Sequence, residues 1–95
     1  MRIAVYPTSA NPPTFGHADI LVRTSKQFDH VYWSAAMNVE KQYMFTEEVR
    51  LQMMNEYVTH YDLRNVTVEA FRGSTIRYVQ QRKAQVIVKG LRSLE

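Results

Sequence analysis

Short polar side chains and one histidine lie between an apolar run and a segment with helical spacing near the start of the chain. This stretch, residues 7–17, reads PTSANPPTFGH and includes Ser9, Thr14 and His17. Its prolines stiffen the backbone, and the start of a helix offers free amide groups and the positive end of a dipole. The pattern fits a phosphate site. A rigid turn in which Ser9, Asn11 and Thr14 cap the helix, with His17 merely exposed, fits equally well.

Cationic side chains follow two later apolar runs. Lys41 comes after residues 31–36, and Lys89 and Arg92 flank Gly90 and Leu91 after residues 86–88. In an open parallel sheet, ligands bind beyond the carboxyl ends of the strands. These cations could therefore hold phosphate groups at the same edge as residues 7–17.

The elements that would position these side chains alternate in type. Apolar runs predict strands over residues 3–6, 31–36, 66–70 and 86–88. Helical spacing predicts helices over residues 17–28 and 74–83, and another that Thr46 would cap. This order predicts an α/β fold, an open parallel sheet of about four strands with helices on both faces and right-handed crossovers.

Apolar spacing within the last two helices predicts which of their residues pack inward. In the helix after Thr46 these are Val49, Met53, Tyr57 and Tyr61, with Met54 and Val58 beside them. In the helix of residues 74–83 they are Ile76, Val79 and Tyr78.

Composition bounds the class of protein. The chain has 95 residues, no cysteine and a net charge of +3. It can hold neither a disulfide nor a thiolate metal site, and it has no apolar stretch long enough for a membrane span. A mild positive charge suits anionic small molecules and is too weak to imply nucleic acid. A cytoplasmic protein with no membrane and no nucleic-acid partner is the default expectation.

The segment YPTSANPPTFGHADIL resembles the first-strand signature of the nucleotidylyltransferase superfamily, whose (H/T)-x-G-H motif is Thr14-Phe15-Gly16-His17 here. Threonine in the first position is usual in the phosphopantetheine adenylyltransferase family. The resemblance continues in FDHVYWSAA, EKQYMFTEEVRLQMM and VIVKGLRS and covers the whole chain in register. It implies a Rossmann-like nucleotidylyltransferase fold and transfer of AMP from ATP to 4′-phosphopantetheine in coenzyme A biosynthesis, giving dephospho-coenzyme A and pyrophosphate.

The resemblance also implies roles for single residues. His17 matches the histidine that contacts the nucleotide phosphates and stabilises the transition state, so it is the expected catalytic residue. Ser9 matches a hydroxyl that touches both substrates. The expected contacts to ATP are Ser9, Ala10, His17, Gly90, Leu91 and Arg92. The expected contacts to 4′-phosphopantetheine are Ser9, Lys41, Thr75 and Lys89.

Mg²⁺ is the expected cofactor, since it neutralises triphosphate oxygens. The sequence shows no obvious carboxylate cage, and His30 and His60 have no partner at metal-ligand spacing. The metal would therefore be held by substrate oxygens and water, with no protein metal site. The family is hexameric, which implies a homo-oligomer.

The chain departs from the family pattern at a few positions. Thr8 replaces a glycine, Ala10-Asn11 replaces Phe-Asp, and Lys89 replaces an arginine. It also ends just after the fourth predicted strand, so the single domain of residues 1–95 is expected to be truncated at its C-terminus.

Two alternative functions remain open. One is another nucleotidylyltransferase, either a nicotinate-nucleotide adenylyltransferase or a cytidylyltransferase. The segment SANPPT is somewhat like the former, whereas Thr14 in place of histidine and the MFT and KGLR segments argue against it. The other is a truncated, catalytically silent nucleotide-binding module.

Overall fold

The computed structural model describes residues 1–38 and 42–90. The described elements are β1 (Ile3–Thr8), α1 (Phe15–Ser25), β2 (His30–Met37), α2 (Glu47–His60), β3 (Val66–Arg72), α3 (Thr75–Gln81) and β4 (Val86–Ile87). The strands form one parallel sheet in the order β3-β2-β1-β4. The predicted fold class, an α/β protein with an open parallel sheet, is confirmed.

The central strand β1 contains a proline that its place in the sheet accommodates. The carbonyls of Ile3 and Val5 accept hydrogen bonds from the amides of Gln85 and Val88, so these residues face β4. With a period of two residues, the Pro7 nitrogen faces the same side. Strand β4 pairs only with Ala4 and Val5, so Pro7, which has no N–H to donate, lies just beyond the end of that ladder.

Side chains that alternate along the strands fill two separate core layers. Helices α1 and α2 cover one face, where the buried residues are Ala4, Tyr6, Ala10, Leu21, Val31, Trp33, Ala35 and Met54. Helix α3 covers the other face over Val5, Phe71 and Tyr78. The helices thus lie on both faces, as predicted. Within the described ranges, none of these helices is both long and apolar enough to cross a membrane.

The caps set where each helix begins. Thr46 caps α2 by accepting from the Val49 amide, as predicted, and Ser74 caps α3 by accepting from the Arg77 amide. Helix α1 begins at residue 15, two residues before the predicted start, because Thr14 is its cap. It ends at residue 25 rather than at the predicted residue 28.

The inward faces of α2 and α3 differ from the prediction. In α2, Met54 is buried and Tyr57 and Val58 pack against the core, as predicted, whereas Val49 and Tyr61 are exposed, which contradicts the prediction for them. Arg50, which was not predicted to face inward, is buried. In α3, Tyr78 is buried as predicted and Ile76 is 66% exposed, which contradicts the prediction for Ile76. A polar network turns α3 so that its tyrosine, rather than its isoleucine, faces the sheet.

This network joins α3 to the middle of the sheet. The Tyr78 hydroxyl donates to Glu69 Oε2 at 2.6 Å and also bonds Ser34, and Arg82 donates to both oxygens of Glu69. Burial acts to raise the pKa of Glu69, but the hydrogen bonds from Arg82 and Tyr78 outweigh it and the pKa is lowered. The carboxylate therefore stays charged and holds α3 against β3.

Replacing Tyr78 with phenylalanine is expected to lower the free energy of unfolding by about 1–2 kcal/mol, because Ser34 and Glu69 lose a shared partner in a half-buried place. Urea denaturation of the two chains measures the loss. The control is Ile76→Ala on the same helix, which should change stability by less than about 0.5 kcal/mol because its side chain is exposed. Equal losses in both variants would contradict the role of the network.

Candidate phosphate-binding site

The site is built around the end of β1, where the strand order changes direction. Strands β2 and β3 follow β1 to one side, and β4 lies on its other side. At such a switch point the connections leave in opposite directions and open a crevice beyond the strand ends. The β1–α1 loop, residues 9–14, and residues 88–90, which follow β4, both lie there.

A capping box at the start of α1 orients the predicted catalytic histidine. The Thr14 hydroxyl accepts from the His17 amide at 3.2 Å, and the Thr14 amide donates to His17 Nδ1 at 3.1 Å. Because Nδ1 accepts a hydrogen bond, the ring proton of the neutral imidazole is on Nε2. Thr14 therefore caps the helix, as one of the two interpretations predicted, and the phosphate site stays a prediction.

The surroundings of His17 keep it neutral. Burial lowers the pKa of its imidazole below the ordinary value of 6.5. Its ring meets the Tyr6 ring edge-on, with centroids 6.3 Å apart, and Tyr6 in turn stacks on Trp33. His17 thus presents an N–H donor rather than a full positive charge.

Backbone donors accompany the imidazole. The His17 amide donates to the Thr14 hydroxyl, and the Ala18 amide donates to the Thr14 carbonyl at 3.0 Å, which is the first hydrogen bond of the helix backbone. Among the described residues, the amides of Phe15 and Gly16 have no acceptor, as expected for the first turn of a helix. Two amides and one Nε2–H are therefore available to an anion at this helix start.

The end of β4 contacts the same cluster. A Cβ atom placed on Gly90 would lie 2.8 Å from the Tyr6 hydroxyl and 3.3 Å from Ile20 Cδ1, so the lack of a side chain allows this close approach. The Tyr6 hydroxyl is buried with no hydrogen-bond partner among the described residues, and burial raises its pKa. Gly90 reaches His17 through the Tyr6 ring, and Lys89 precedes it on the surface.

The structure brings some of the predicted residues together and separates one. Ser9, Ala10 and His17 belong to the loop and helix start after β1, and Lys89 and Gly90 follow β4. Thr75 is exposed at the start of α3, which follows β3 two strands away from β1 and covers the other face. At one strand spacing per step, this offset is about 10 Å. Lys41, Leu91 and Arg92 lie outside the described residues.

Two residues at this site were missed as functional candidates in the sequence. Tyr6 links Gly90 to His17, and Arg50 contacts the loop backbone with a guanidinium that is only 2% exposed. A signal for Arg50 existed, since it lies four residues before Met54 in a column that is otherwise apolar. A charged residue in an apolar column means either that the charge is buried or that another column of the helix faces the core.

A groove of about 430 Å³ lies beside the site, between the start of α1 and α2. It is lined by Pro13, Phe15, Met53, Glu56, Tyr57 and His60. None of the predicted phosphate-binding residues lines it, and its walls are mostly apolar. We assign it no part in phosphate binding.

No protein cage for a metal ion is found in the described part of the chain. Residues 1–38 and 42–90 contain no group of three or more histidine, aspartate or glutamate side chains placed to hold one. Among the described residues, the site offers N–H donors, which suit phosphate oxygens.

These features are typical of α/β proteins that bind nucleotide phosphates at a strand end. The chain belongs to the cytidylyltransferase-like family, whose model matches residues 5–95. The fold is also that of a solved structure described as a putative nicotinate-nucleotide adenylyltransferase from Vibrio parahaemolyticus. That structure superposes with a TM-score of 0.73 at 21% identity, over 94% of this chain and 61% of the other.

Curated relatives of higher identity carry a different name. The phosphopantetheine adenylyltransferase of Carboxydothermus hydrogenoformans is 43% identical over 94 residues, which cover 99% of this chain and 57% of that protein. The protein of the same name from Clostridium novyi is 45% identical over 92 residues, 97% of this chain and 56% of that protein. The chain therefore spans a little over half the length of these relatives.

Proposed function

We propose that the chain acts in adenylyl transfer from ATP to 4′-phosphopantetheine, the reaction of a phosphopantetheine adenylyltransferase, which yields dephospho-coenzyme A and pyrophosphate. The observation that carries this proposal is the capping box that directs His17 Nε2–H away from Thr14 at a strand switch point. The names of the relatives at 43% and 45% identity support the choice of substrates.

The reaction asks for positioning rather than for a strong base. A phosphate oxygen of 4′-phosphopantetheine forms a bond to the α-phosphorus of ATP, and the bond from that phosphorus to the bridging oxygen of pyrophosphate breaks. The attacking phosphate is already anionic near pH 7, since its second pKa is about 6. The protein must hold two anions together and stabilise the charge that builds on the α-phosphate and the leaving group.

The residues at the end of β1 suit that task. His17 Nε2–H and the Phe15 and Gly16 amides donate to the phosphates of ATP, and donors fixed in advance need no reorganisation during the reaction. The Ser9 hydroxyl is exposed and lies where both phosphates would meet. Gly90 continues this surface from β4.

The two substrates reach the site from different strands. ATP lies along the switch point between β1 and β4, where Gly90, Leu91 and Arg92 follow β4. The phosphate of 4′-phosphopantetheine takes Lys41 and Lys89 as cations. The long arm of 4′-phosphopantetheine runs along the strand ends toward Thr75. The offset from the end of β1 to the end of β3 is about 10 Å, which a compact second substrate would not span.

Mg²⁺ enters this proposal as part of the nucleotide. Because the described residues offer no cage, the ion would be held by triphosphate oxygens and water. When bound it neutralises phosphate charge, and the protein donors then act on the remaining oxygens.

A cytoplasmic homo-oligomer completes the proposal. Apolar side chains remain exposed on the described surface, among them Phe15, Met44 and Ile76. Contacts between copies of the chain would cover such side chains. Mass measurement by light scattering tests this part independently of the reaction.

An ATP titration tests the site. With isotope-labelled chain and Mg²⁺ present, the His17 ring resonances should shift as ATP is added. Those of His30, which begins β2 and so lies at the opposite edge of the sheet, should not. Fixed His17 resonances, with shifts elsewhere, would place the nucleotide at another site and refute the assignment.

Pyrophosphate release then separates the candidate reactions. Release that requires 4′-phosphopantetheine supports the proposal. Release with nicotinate mononucleotide in its place, or from CTP, would favour the other nucleotidylyltransferases. ATP binding at His17 without release from any substrate pair would favour the silent module.

A further inference from the structure

Arg50 is a buried cation for which the described residues supply no carboxylate partner. Its side chain, at the end of the first turn of α2, is 2% exposed, and none of the ion pairs among the described residues includes it. Its guanidinium lies 3.9 Å from the centre of the Tyr43 ring and contacts Met37 Sδ, while Nε has no hydrogen-bond partner. Burying an unpaired guanidinium costs several kcal/mol, so packing alone gives a poor account of its place.

Its one strong hydrogen bond goes to the candidate site. Arg50 Nη1 donates to the Ser9 carbonyl at 2.9 Å. The Ser9–Ala10 peptide is trans and planar, so its N–H points opposite to its C=O. Because Arg50 draws the carbonyl toward α2, the Ala10 amide is turned away from α2.

Ala10 is held in a buried and strained conformation. Ala10 has no exposed surface, and its N–H has no hydrogen-bond partner among the described residues. Its φ of 50° lies in the left-handed region, which costs an alanine about 1–2 kcal/mol. Surrounding contacts must hold Ala10 in this conformation. The hydrogen bond from Arg50 is a contact to the Ser9–Ala10 peptide group itself.

A second tie holds the same loop to the segment that leads into α2. The Phe45 amide donates to Asn11 Oδ1 at 3.0 Å. Residues 9–11 are thus bound to α2 and to its approach at two points, one on each side of Ala10. A loop fixed in this way holds Ser9 in a constant position.

We propose that Arg50 is a positioning residue for nucleotide binding. It fixes the Ser9–Ala10 peptide and so holds Ser9, which is exposed, where its hydroxyl can donate to a phosphate oxygen of ATP. Arg50 itself touches no substrate. This role rests on the proposed function, because it needs a phosphate group at the end of β1.

The test compares three variants of the whole chain. Arg50→Met keeps the volume and removes every donor, Arg50→Lys keeps the charge and one donor group, and Arg72→Met is the control. Arg72 also anchors α2, through an ion pair with Glu47, but it does not contact residues 9–11. Replacing a buried unpaired cation by an apolar side chain is tolerated well, so Arg50→Met should remain folded.

The first readout needs no nucleotide. Hydrogen exchange of the Ala10 amide should be about tenfold faster in Arg50→Met, whereas the Val31 amide, bonded to the Asn65 carbonyl in the sheet, should exchange as before. A merely structural role for Arg50 would change both amides or neither.

The second readout is an ATP titration with Mg²⁺. The dissociation constant should rise about 10- to 100-fold in Arg50→Met, because a hydrogen bond to a charged phosphate is lost. Arg50→Lys should recover part of the affinity, and Arg72→Met should match the original chain. The His17 ring should still respond in Arg50→Met, but the Ala10 amide should lose most of its shift.

The outcomes separate this inference from the proposed function. Unchanged Ala10 exchange and unchanged affinity in Arg50→Met would overturn the role of Arg50 and leave the proposed function standing. A His17 ring and an Ala10 amide that both ignore ATP in the original chain would refute the proposed function, and the role of Arg50 with it.

Discussion

Replacing His17 with glutamine is expected to lower the rate of pyrophosphate release by about a hundredfold to a thousandfold, while the free energy of unfolding changes by less than about 0.5 kcal/mol. Glutamine is a usual residue at this position of a capping box, where its side-chain oxygen accepts from the amide of the cap residue. It keeps the bond to Thr14 and loses the imidazole Nε2–H. The variant therefore removes the chemistry without removing the cap.

His17→Ala is the matched comparison. It loses both the imidazole and the acceptor for the Thr14 amide, so it should lose rate as His17→Gln does and about 1 kcal/mol of stability as well. Rates are measured from ATP and 4′-phosphopantetheine with the chain in excess, and stabilities by urea denaturation. A glutamine variant as active as the original chain would show that His17 serves only the helix cap.

The pH dependence of stability supplies a separate check. Burial lowers the pKa of His17 in the folded chain below 6.5, so the unfolded chain binds the proton more readily. The contribution of the neutral His17 to the free energy of unfolding is complete above pH 6.5. It is lost as the pH falls from 6.5 toward the pKa of the folded chain, because in that range the unfolded state takes up more protons. His17→Gln should remove this part of the slope.

Local signals in the sequence were sufficient for the elements and for placing Ser9, Ala10 and His17 directly after β1. Alternating apolar runs predicted the order of strands and helices, and Thr46 predicted the start of α2. The residues from Thr14 to His17 left a cap and a phosphate site as rival interpretations. They were rivals only because spacing shows positions and not bonds. The Thr14 amide bonds to Nδ1, so the cap itself orients the donor.

The rest of the site depends on contacts between distant parts of the chain. The place of β4 beside β1 brings Gly90 onto Tyr6, and nothing near either residue in sequence indicates that meeting. Arg50 was not among the residues predicted to pack inward, yet it is buried. The loop backbone that it contacts is 41 residues away in sequence.

Replacing Gly90 with alanine is expected to lower the free energy of unfolding by about 1–3 kcal/mol, because the added Cβ overlaps a packed side chain. It would lie 2.8 Å from the Tyr6 hydroxyl, and the Tyr6 ring has little room to move between Trp33 and His17. Displacing that ring moves His17 as well. The ATP dissociation constant should therefore rise about tenfold, since small misplacements of site groups are costly.

Tyr6→Phe tests the cause of that loss. Its hydroxyl is buried without a partner among the described residues, so removing it alone should leave stability unchanged or slightly raised. In the double variant the shortest overlap is gone and the next contacts are 3.3 and 3.4 Å, so at least half of the stability lost in Gly90→Ala should return. Gly73→Ala is the control. An alanine at Gly73 would meet no atom within 4 Å, but the φ of 84° strains its backbone and so lowers the free energy of unfolding. Tyr6→Phe should not restore that loss. If the double variant is as unstable as the two single changes in stability added together, the end of β4 does not pack on the Tyr6 hydroxyl. The proposed contact route from Gly90 through Tyr6 to His17 is then wrong.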